Sequence, residues 1–347
     1  MSMRRALHSP RLLWITVILL GIITISWTTL LSKVTSNVGL LLLARSLAAS
    51  DPLELESSSS DVIEQEQARQ WLQAAATLNP DNRGAWRGLG FVLTALGPGR
   101  TEEALAAWRN ANATANEFIV RGHQARNARQ FTAALNWYQR AAALQPELAD
   151  SWYHQGLTYQ DLGEWTTARR ALQRAVQAPI FDLVGYSTRY YRLGMVERFH
   201  FQPPLMNEAL NAFATAIQLN DFSSGYEAAD SYYQHGNLVE QTNQSLALQD
   251  YQKALELYPQ HYWAHLLLGR LLYKTSRDVS RAEAEMYHAL NLWPDNGTRK
   301  WPYRFLGDMY REAGMMAQAE WAYRQVLSWD SQDEQVRLSL SKLGQHE

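Results

Sequence analysis

The amino-acid sequence predicts an all-α protein in which one N-terminal transmembrane helix precedes an array of repeated helix pairs. Two observations predict this fold class. Residues 12–31 form an uncharged, apolar run, and a run of about 20 such residues spans the hydrocarbon core of a bilayer. From about residue 61 onward, the same helical pattern recurs at intervals of about 34 residues.

Composition excludes several classes of function. Charged residues make up 19% of the 347 residues and the formal net charge is -2, so the chain lacks the overall basic field that attracts nucleic acid. The sequence contains no cysteine, which excludes disulfides, zinc knuckles, iron–sulfur clusters and thiol nucleophiles. We therefore expect no nucleic-acid partner and no cofactor.

The apolar run at residues 12–31 reads LLWITVILLGIITISWTTLL, with Trp14 and Trp27 near its ends, where tryptophan settles at membrane interfaces. Basic residues flank it on both sides, at Arg4, Arg5, Arg11, Lys33 and Arg45. Three precede the run and two follow it, which favours an N-terminus inside and an array outside. The sequence thus predicts a single-pass protein of the plasma membrane with an extracytoplasmic array.

Two alternatives to this topology remain. A cleavable signal peptide has a shorter apolar region, of about 7–15 residues, followed by a small-x-small cleavage site. The nearest such site, Leu47-Ala48-Ala49, lies far downstream of the run, so an uncleaved anchor is favoured. The other alternative is the opposite orientation, in which the array lies in the cytoplasm and recruits an enzyme to the membrane.

The repeated pattern is clearest between Ala149 and Ala178. Its first helix carries Trp152, Gly156 and Tyr159 at spacings of four and three, and its second helix carries Leu172. Residues three and four apart share one helix face. The small Gly156 lets two antiparallel helices approach closely, and the large side chains fill the space around that contact.

This arrangement resembles the tetratricopeptide-repeat (TPR) motif, in which a large, a small and an aromatic residue precede Ala, a large residue and Ala. Seven full units can be followed over roughly four-fifths of the chain. The resemblance implies a TPR α-solenoid, which is a right-handed superhelix of antiparallel helix pairs. It also implies a non-catalytic protein that binds other proteins, and we expect no enzyme activity.

Some units depart from the motif. The unit around Tyr226 has Asp230 where the family prefers glycine, which predicts a splayed helix pair. Upstream, Leu72 lies in a second helix whose first-helix partner is unclear. The apolar segment from Val38 to Ala49 is either that missing helix or a helix on the membrane surface. Longer turns occur at Gly97-Pro98-Gly99, at residues 200–204 and at residues 237–244.

These patterns predict five parts of the chain. Residues 1–11 form a short tail, residues 12–31 the transmembrane helix, and residues 32–60 a linker with a short helix. Residues 61–333 form the repeat array, and residues 334–347 contain a C-terminal capping helix at Glu334 to Leu343. Terminal repeats need such a polar-faced cap for solubility.

Catalytic and metal-binding motifs are missing from the sequence. It has no Walker-type phosphate loop, no G-x-S-x-G elbow and no H-E-x-x-H pair. His261 and His265 are four residues apart, but they fall in a turn and at a packing position, without a carboxylate at zinc-site spacing. We interpret both histidines as structural.

The TPR resemblance further implies that certain positions of each first helix line a concave ligand groove. These positions are Arg87, Phe91, His123, Arg126, Tyr153, Tyr191, Arg198, Phe199, Trp263, Arg270, Tyr273, Lys274, Trp301, Arg304 and Arg311. Such a basic and aromatic face suits an extended acidic peptide, a C-terminal carboxylate or an anionic glycan. The alternative is that arginine is simply the commoner cation throughout this chain.

The resulting hypothesis is a membrane-anchored scaffold or assembly factor that mediates protein–protein interactions at the cell envelope. The alternative is an accessory or regulatory subunit of a membrane enzyme complex, such as one that handles envelope polysaccharide. The carboxylate clamp of chaperone-binding TPR domains is not matched, because Phe91 and Asp308 stand where Asn is expected.

Overall fold

The computed structural model describes residues 24–42, 59–181, 183–294 and 298–343. Regular structure in these ranges is α-helical, apart from one 3-10 turn at Pro98–Arg100 and one backbone bridge between Leu148 and Ile180. The chain divides into two compact units, Met1–Pro146 and Glu147–Glu347. Each unit is considered by itself.

The described residues of the first unit form three helix pairs. The helices are α1 (residues 24–42), α2 (Ser59–Leu78), α3 (Arg83–Ala95), α4 (Thr101–Asn110), α5 (Ala115–Asn127) and α6 (Phe131–Leu144). The side chains of Asn82 and Thr114 accept backbone N–H groups at the starts of α3 and α5. These caps satisfy donors that have no partner within the helix.

The described residues of the second unit form five helix pairs and a final helix. They are α7 (Ala149–Asp161), α8 (Trp165–Gln177), α9 (Tyr186–Phe199), α10 (Met206–Leu219), α11 (Gly225–Val239), α12 (Gln244–Leu257), α13 (Tyr262–Ser276), α14 (Val279–Leu292), α15 (Lys300–Glu312), α16 (Met316–Trp329) and α17 (Glu334–Leu343). Val336 of α17 is buried, and Leu340 and Leu343 pack on the same core. The final helix thus covers the apolar face that the last pair would leave open.

A glycine marks the crossing point of the two helices in every described pair. A Cβ added at each of these glycines would lie 3.0 Å or less from a large side chain of the second helix. The partners are Gly39 and Leu72, Gly90 and Trp108, Gly122 and Tyr138, Gly156 and Leu172, Gly194 and Phe213, Gly236 and Tyr251, Gly269 and Met286, and Gly307 and Tyr323. Helix approach in this array therefore depends on the absence of a side chain at these positions.

The pair α11–α12 corrects one prediction. The match to the repeat motif placed Asp230 at the crossing point of this pair and predicted that its helices are splayed. The structure instead places Gly236 there, because a Cβ at Gly236 would lie 3.0 Å from both Tyr251 and Asp250. The crossing point lies six residues further along, and the two helices approach as closely as the others do.

Helix α1 packs on α2 as the first helix of the opening pair, for which the sequence showed no clear first helix. Gly39 packs on Leu72 of α2, and the buried Ser32 donates its hydroxyl to the Ala75 carbonyl at 2.7 Å. The side chain of Asn82 donates to Ser32 Oγ at 2.8 Å, which joins the pair to the start of α3. The repeat pattern therefore begins before residue 61, although residues 43–58 lie outside the described ranges.

The predicted transmembrane segment overlaps only the start of α1. Residues 12–23 lie outside the described ranges, and residues 24–31 are helical. Within the ranges that the structure describes, none of the helices has both the length and the apolarity needed to cross a bilayer. Ile25, Trp27, Leu30 and Leu31 are exposed, whereas burial against α2 begins at Ser32.

Candidate protein-binding surface

The first helices of successive pairs carry all the residues that the sequence predicted for a ligand groove. We call the side chains that these helices present the first-helix face. Four predicted residues lie on α3 and α5 of the first unit, namely Arg87, Phe91, His123 and Arg126. The other eleven lie on α7, α9, α13 and α15 of the second unit. The predicted residues therefore divide between the two units.

In the first unit, Phe91 lies in an aromatic cluster. Its ring makes edge contacts with Trp108 at 4.5 Å and with Trp137 at 5.9 Å, and the Arg121 guanidinium lies 4.9 Å from its centroid. Arg87 forms an ion pair with Glu117 of α5 at 3.1 Å. The half-buried Phe91 thus supports the packing between neighbouring pairs.

His123 and Arg126 lie one turn apart on α5, and both are half-buried. The His123 ring lies 5.8 Å from the ring of Tyr138, the residue that fills the crossing point at Gly122. Both residues therefore lie close to the core of their own pair.

In the second unit, two predicted tyrosines are buried. Tyr153 and Tyr191 expose 5% and 3% of their surface, so neither offers a ring face to a ligand. Arg198 donates to the backbone carbonyl of Gln234 at 3.0 Å, and burial lowers the pKa of its guanidinium. Phe199 is 53% exposed, with the Arg198 guanidinium 5.1 Å from its ring centroid.

A buried carboxylate, Asp230, links three successive first helices. It accepts hydrogen bonds from the Tyr191 hydroxyl of α9 at 2.9 Å and from Gln234 of α11. His261, at the start of α13, lies 3.1 Å from it through Nε2. Because His261 Nδ1 accepts the Ala264 N–H, Nε2 carries the proton that is donated to Asp230. Burial, reinforced by Asp230, raises the pKa of Tyr191.

The register of α11 explains why the sequence missed Asp230 as a groove residue. With Gly236 at the crossing point, Asp230, Tyr233 and Glu240 occupy the first-helix positions that Trp263, Leu266 and Tyr273 occupy in α13. The sequence does carry this signal, because Gly236 precedes Tyr251 at a spacing close to that between Gly156 and its partner. The first helix α11 therefore carries two buried carboxylates, Asp230 and Glu240, at positions of the kind from which the groove was predicted.

A cavity of about 240 Å³ lies between α13 and α15 and brings three predicted residues together. Arg270, Tyr273 and Lys274 line it, and the facing helix contributes Phe305, Asp308 and Glu312. Arg270 is held by Glu240 at 2.6 Å, and its guanidinium lies 5.4 Å from the Phe305 centroid. Lys274 is exposed and has no ion-pair or hydrogen-bond partner among the described residues.

The predicted tryptophans differ in exposure. Trp263 is half-buried and packs edge-on against Trp293 with the ring centroids 4.5 Å apart. Trp301 is 38% exposed, and the charged groups of Lys300 and Arg304 lie about 6 Å from its centroid. Trp301 therefore presents more ring area to solvent than Trp263 does.

Most arginines of the first-helix face are already paired. In the second unit, Arg270 binds Glu240, Arg304 lies 3.6 Å from Asp333 and hydrogen-bonds Gln335, and Arg311 lies 3.9 Å from Asp308. The first two of these contacts join successive repeats. The cations that the sequence assigned to a ligand thus mainly hold neighbouring helices together, with Lys274 as an exception.

The two histidines considered as metal ligands also make structural contacts. His261 bonds to Asp230, and His265 Nδ1 lies 2.6 Å from Glu285 of α14. Among the residues that the structure describes, no group of three or more His, Asp or Glu side chains is placed to hold a metal ion. The interpretation of these histidines as packing residues agrees with these contacts.

Comparisons with known proteins bear on the fold. No protein-family model and no curated protein matches the chain. Among solved structures, PilF of Pseudomonas aeruginosa matches with a TM-score of 0.51 and 15% identity, over 67% of this chain and 97% of that chain. The fold is an all-α helical repeat. It matches TPR solenoids, and at this identity the likeness shows the fold alone.

Two TPR proteins also match with lower TM-scores. One is YrrB, described as a TPR protein with an unusual peptide-binding site, with a TM-score of 0.43 and 19% identity over 56% of this chain and 94% of that chain. The other is a TPR protein from Parabacteroides merdae, with a TM-score of 0.38 and 16% identity over 88% of this chain and 98% of that chain.

Proposed function

We propose that the protein is a non-catalytic TPR-type scaffold that binds an extended acidic segment of a protein partner on the first-helix face of residues 147–347. The observation that carries this proposal is the cavity between α13 and α15. Its exposed Lys274 has no counter-ion among the described residues, while Tyr273 and Phe305 supply apolar wall. The two carboxylates that also line the cavity lie next to other cations, Glu312 at 2.8 Å from Arg277 and Asp308 at 3.9 Å from Arg311. A carboxylate next to an apolar side chain matches both features.

The affinity of such a site must come from several contacts. An exposed ion pair to Lys274 contributes only about 0–1 kcal/mol, and a cavity of about 240 Å³ holds a single side chain. An extended segment crossing α15 would also reach the exposed ring of Trp301 on the same helix. Rings of this kind supply contact area with little loss of conformational entropy.

The proposal includes a membrane anchor at residues 12–31 and an extracytoplasmic array at the plasma membrane. Two features support the membrane anchor. The run is uncharged, and its last apolar side chains in α1, including Trp27 and Leu31, remain exposed up to the point where Ser32 packs on α2. Apolar side chains left uncovered by protein suit a lipid environment.

Affinity purification tests the binding proposal. Tagged full-length protein is purified from its native membrane in mild detergent, beside a Lys274→Glu variant and a Lys253→Glu control. Lys253 is an exposed lysine on the second helix α12. We expect a partner that is retained by the wild type and the control but lost by Lys274→Glu. Equal retention by all three would place the binding site elsewhere.

The identity of the co-purifying protein also bears on the alternative role. A stoichiometric membrane enzyme would favour an accessory subunit, whereas a non-enzymatic client protein would favour a scaffold or assembly factor. A purified anionic glycan tested on the same variants would show whether a saccharide occupies this face instead of a peptide.

The absence of cysteine makes the topology directly testable. A single cysteine at Glu256, which is exposed on α12, would be the only thiol in the chain. We expect a membrane-impermeant maleimide to label it in intact cells. Labelling that requires lysis would place the array in the cytoplasm and overturn the proposed orientation.

A further inference from the structure

A second candidate site, in the first unit, lies away from the predicted groove. It is a cavity of about 330 Å³ between the second helices α4 and α6, bounded at one end by Gly97 in the lengthened turn after α3. None of its lining residues belongs to the set predicted for the first-helix face. Its volume is at the lower end of the range of small-ligand pockets, about 300–1,000 Å³.

An arginine without a counter-ion lines this cavity. Arg140 of α6 is half-buried, and its guanidinium has neither an ion pair nor a hydrogen bond among the described residues. Burial lowers the pKa of Arg140 to about 10, so the group still carries its charge at neutral pH. By contrast, the part-buried Arg169 on α8 of the other unit has Glu197 at 2.8 Å.

The Arg140 guanidinium lies against an aromatic ring. It lies 4.4 Å from the centroid of Trp137, which also stacks on Phe118 with centroids 6.0 Å apart. A guanidinium held over a ring keeps its N–H edge available for a planar acceptor. A partly desolvated charge without a partner is energetically unfavourable. An anionic ligand that pairs with Arg140 would therefore bind favourably.

The other lining residues indicate the chemistry of the rest of the ligand. Ala104, Leu105 and Trp108 of α4 give the cavity an apolar side. Trp108 is buried, and its Nε1 has no acceptor among the described residues. The α4 side of the cavity thus offers apolar surface, and the α6 side offers the Arg140 cation beside Asn136 and Gln139.

We propose that this cavity binds a carboxylate attached to an apolar body, with the carboxylate on Arg140 and the apolar part against Leu105 and Trp108. Two oxygens of a carboxylate match the fork of one guanidinium. A free aromatic acid and the C-terminal residue of a peptide share this chemistry. The site is independent of the binding face proposed above, because it lies on the second helices.

Titration of the purified full-length protein with defined probes tests this site. The probes are phenylacetate, phenylacetamide, and an acetylated tripeptide ending in phenylalanine as the free acid or the amide, each followed by isothermal titration calorimetry. The variants are Arg140→Met, Ala143→Phe, which fills the cavity from a position one turn beyond Arg140, and Arg109→Met. Arg109 is an exposed arginine on α4 and serves as the matched control.

We expect at least one acid to bind the wild type and Arg109→Met equally. Arg140→Met is expected to weaken that binding about 10- to 100-fold, the loss that follows from removing a hydrogen bond to a charged group, and Ala143→Phe is expected to abolish it. Binding of the peptide acid alone would identify a peptide terminus as the source, and binding of phenylacetate as well would include free acids.

Three results would overturn the proposal. They are no binding by either acid, equal binding of acid and amide, or acid binding that Arg140→Met leaves unchanged. Arg140→Met removes an unpaired charge and should not lower the unfolding temperature, so a loss of binding by this variant can be separated from misfolding.

Discussion

Replacing Asp230 by alanine is expected to destabilise the second unit more than most single substitutions do. The carboxylate is buried, and it accepts hydrogen bonds from Tyr191 of α9, Gln234 of α11 and His261 at the start of α13. Since repeat proteins are stabilised mainly by contacts between neighbours, one acceptor shared by three first helices acts on two interfaces at once.

The magnitude follows from what the substitution leaves behind. Without Asp230, the Tyr191 hydroxyl and His261 Nε2–H lose their acceptor inside the protein, and each buried donor without a partner costs about 1–3 kcal/mol. The substitution removes the charge itself, so the cost comes from these donors, about 2–6 kcal/mol for the two together. We therefore expect Asp230→Ala to lower the free energy of unfolding by about 3–5 kcal/mol, a large part of a typical total of about 5–15 kcal/mol.

Equilibrium unfolding in urea, followed by far-ultraviolet circular dichroism, measures this loss. Glu256→Ala, which removes an exposed carboxylate of α12, is the control and should leave the unfolding midpoint unchanged. A double-mutant cycle with Tyr191→Phe isolates the contact between the hydroxyl and the carboxylate. If Asp230→Ala unfolded at the same urea concentration as the control, Asp230 would not tie the three helices together.

Two further substitutions test the packing and the electrostatics. In Gly122→Ala, the added Cβ would lie 2.7 Å or less from three ring atoms of the buried Tyr138. Overpacking of about 1–3 kcal/mol opposes a helix-propensity gain of up to about 1 kcal/mol, so the melting temperature should fall. Gly84→Ala, at an exposed position of α3, is the control and should not lower the melting temperature. Although burial acts to raise it, hydrogen bonds from Ser187 and the Tyr186 N–H hold the pKa of Asp221 below its ordinary value. A carboxylate with a lowered pKa in the folded state stabilises the protein above its unfolded pKa of about 4. Asp221→Ala should therefore lower the free energy of unfolding by about 1 kcal/mol at neutral pH, and by progressively less when urea unfolding is measured below pH 4. A difference that stays constant with pH would contradict this assignment.

The fold could be predicted from sequence because a small residue marks the helix crossing in each repeat. A glycine or alanine three or four residues from aromatic positions identifies a helix crossing, and the pairs built on Gly156 and Gly307 follow this rule directly. The rule failed at α11, because the prediction anchored the unit on Tyr226 instead of on Gly236. With the correct register, Asp230 is not at the crossing point but six residues before it, where it is buried and hydrogen-bonded to neighbouring helices.

The candidate site was less predictable for a different reason. Motif positions identify which side chains lie on a first helix, but not which of them are engaged by the next repeat. Arg198 and Arg270 look available in the sequence, yet they bond to Gln234 and Glu240. Ion pairs between residues about 30 positions apart depend on the inter-repeat geometry, which no local pattern records. For the same reason, the sequence did not identify Arg140 as an unpaired cation.

Site-specific photocrosslinking from the first-helix face tests the central claim most directly. A photoreactive amino acid is placed at Lys274 on α13 or at Lys253 on α12, and the full-length protein is irradiated in its native membrane. The account predicts one dominant crosslinked protein from position 274, joined through an acidic segment, and none from position 253. The same adduct from both positions, or an adduct from position 253 alone, would contradict binding on the first-helix face.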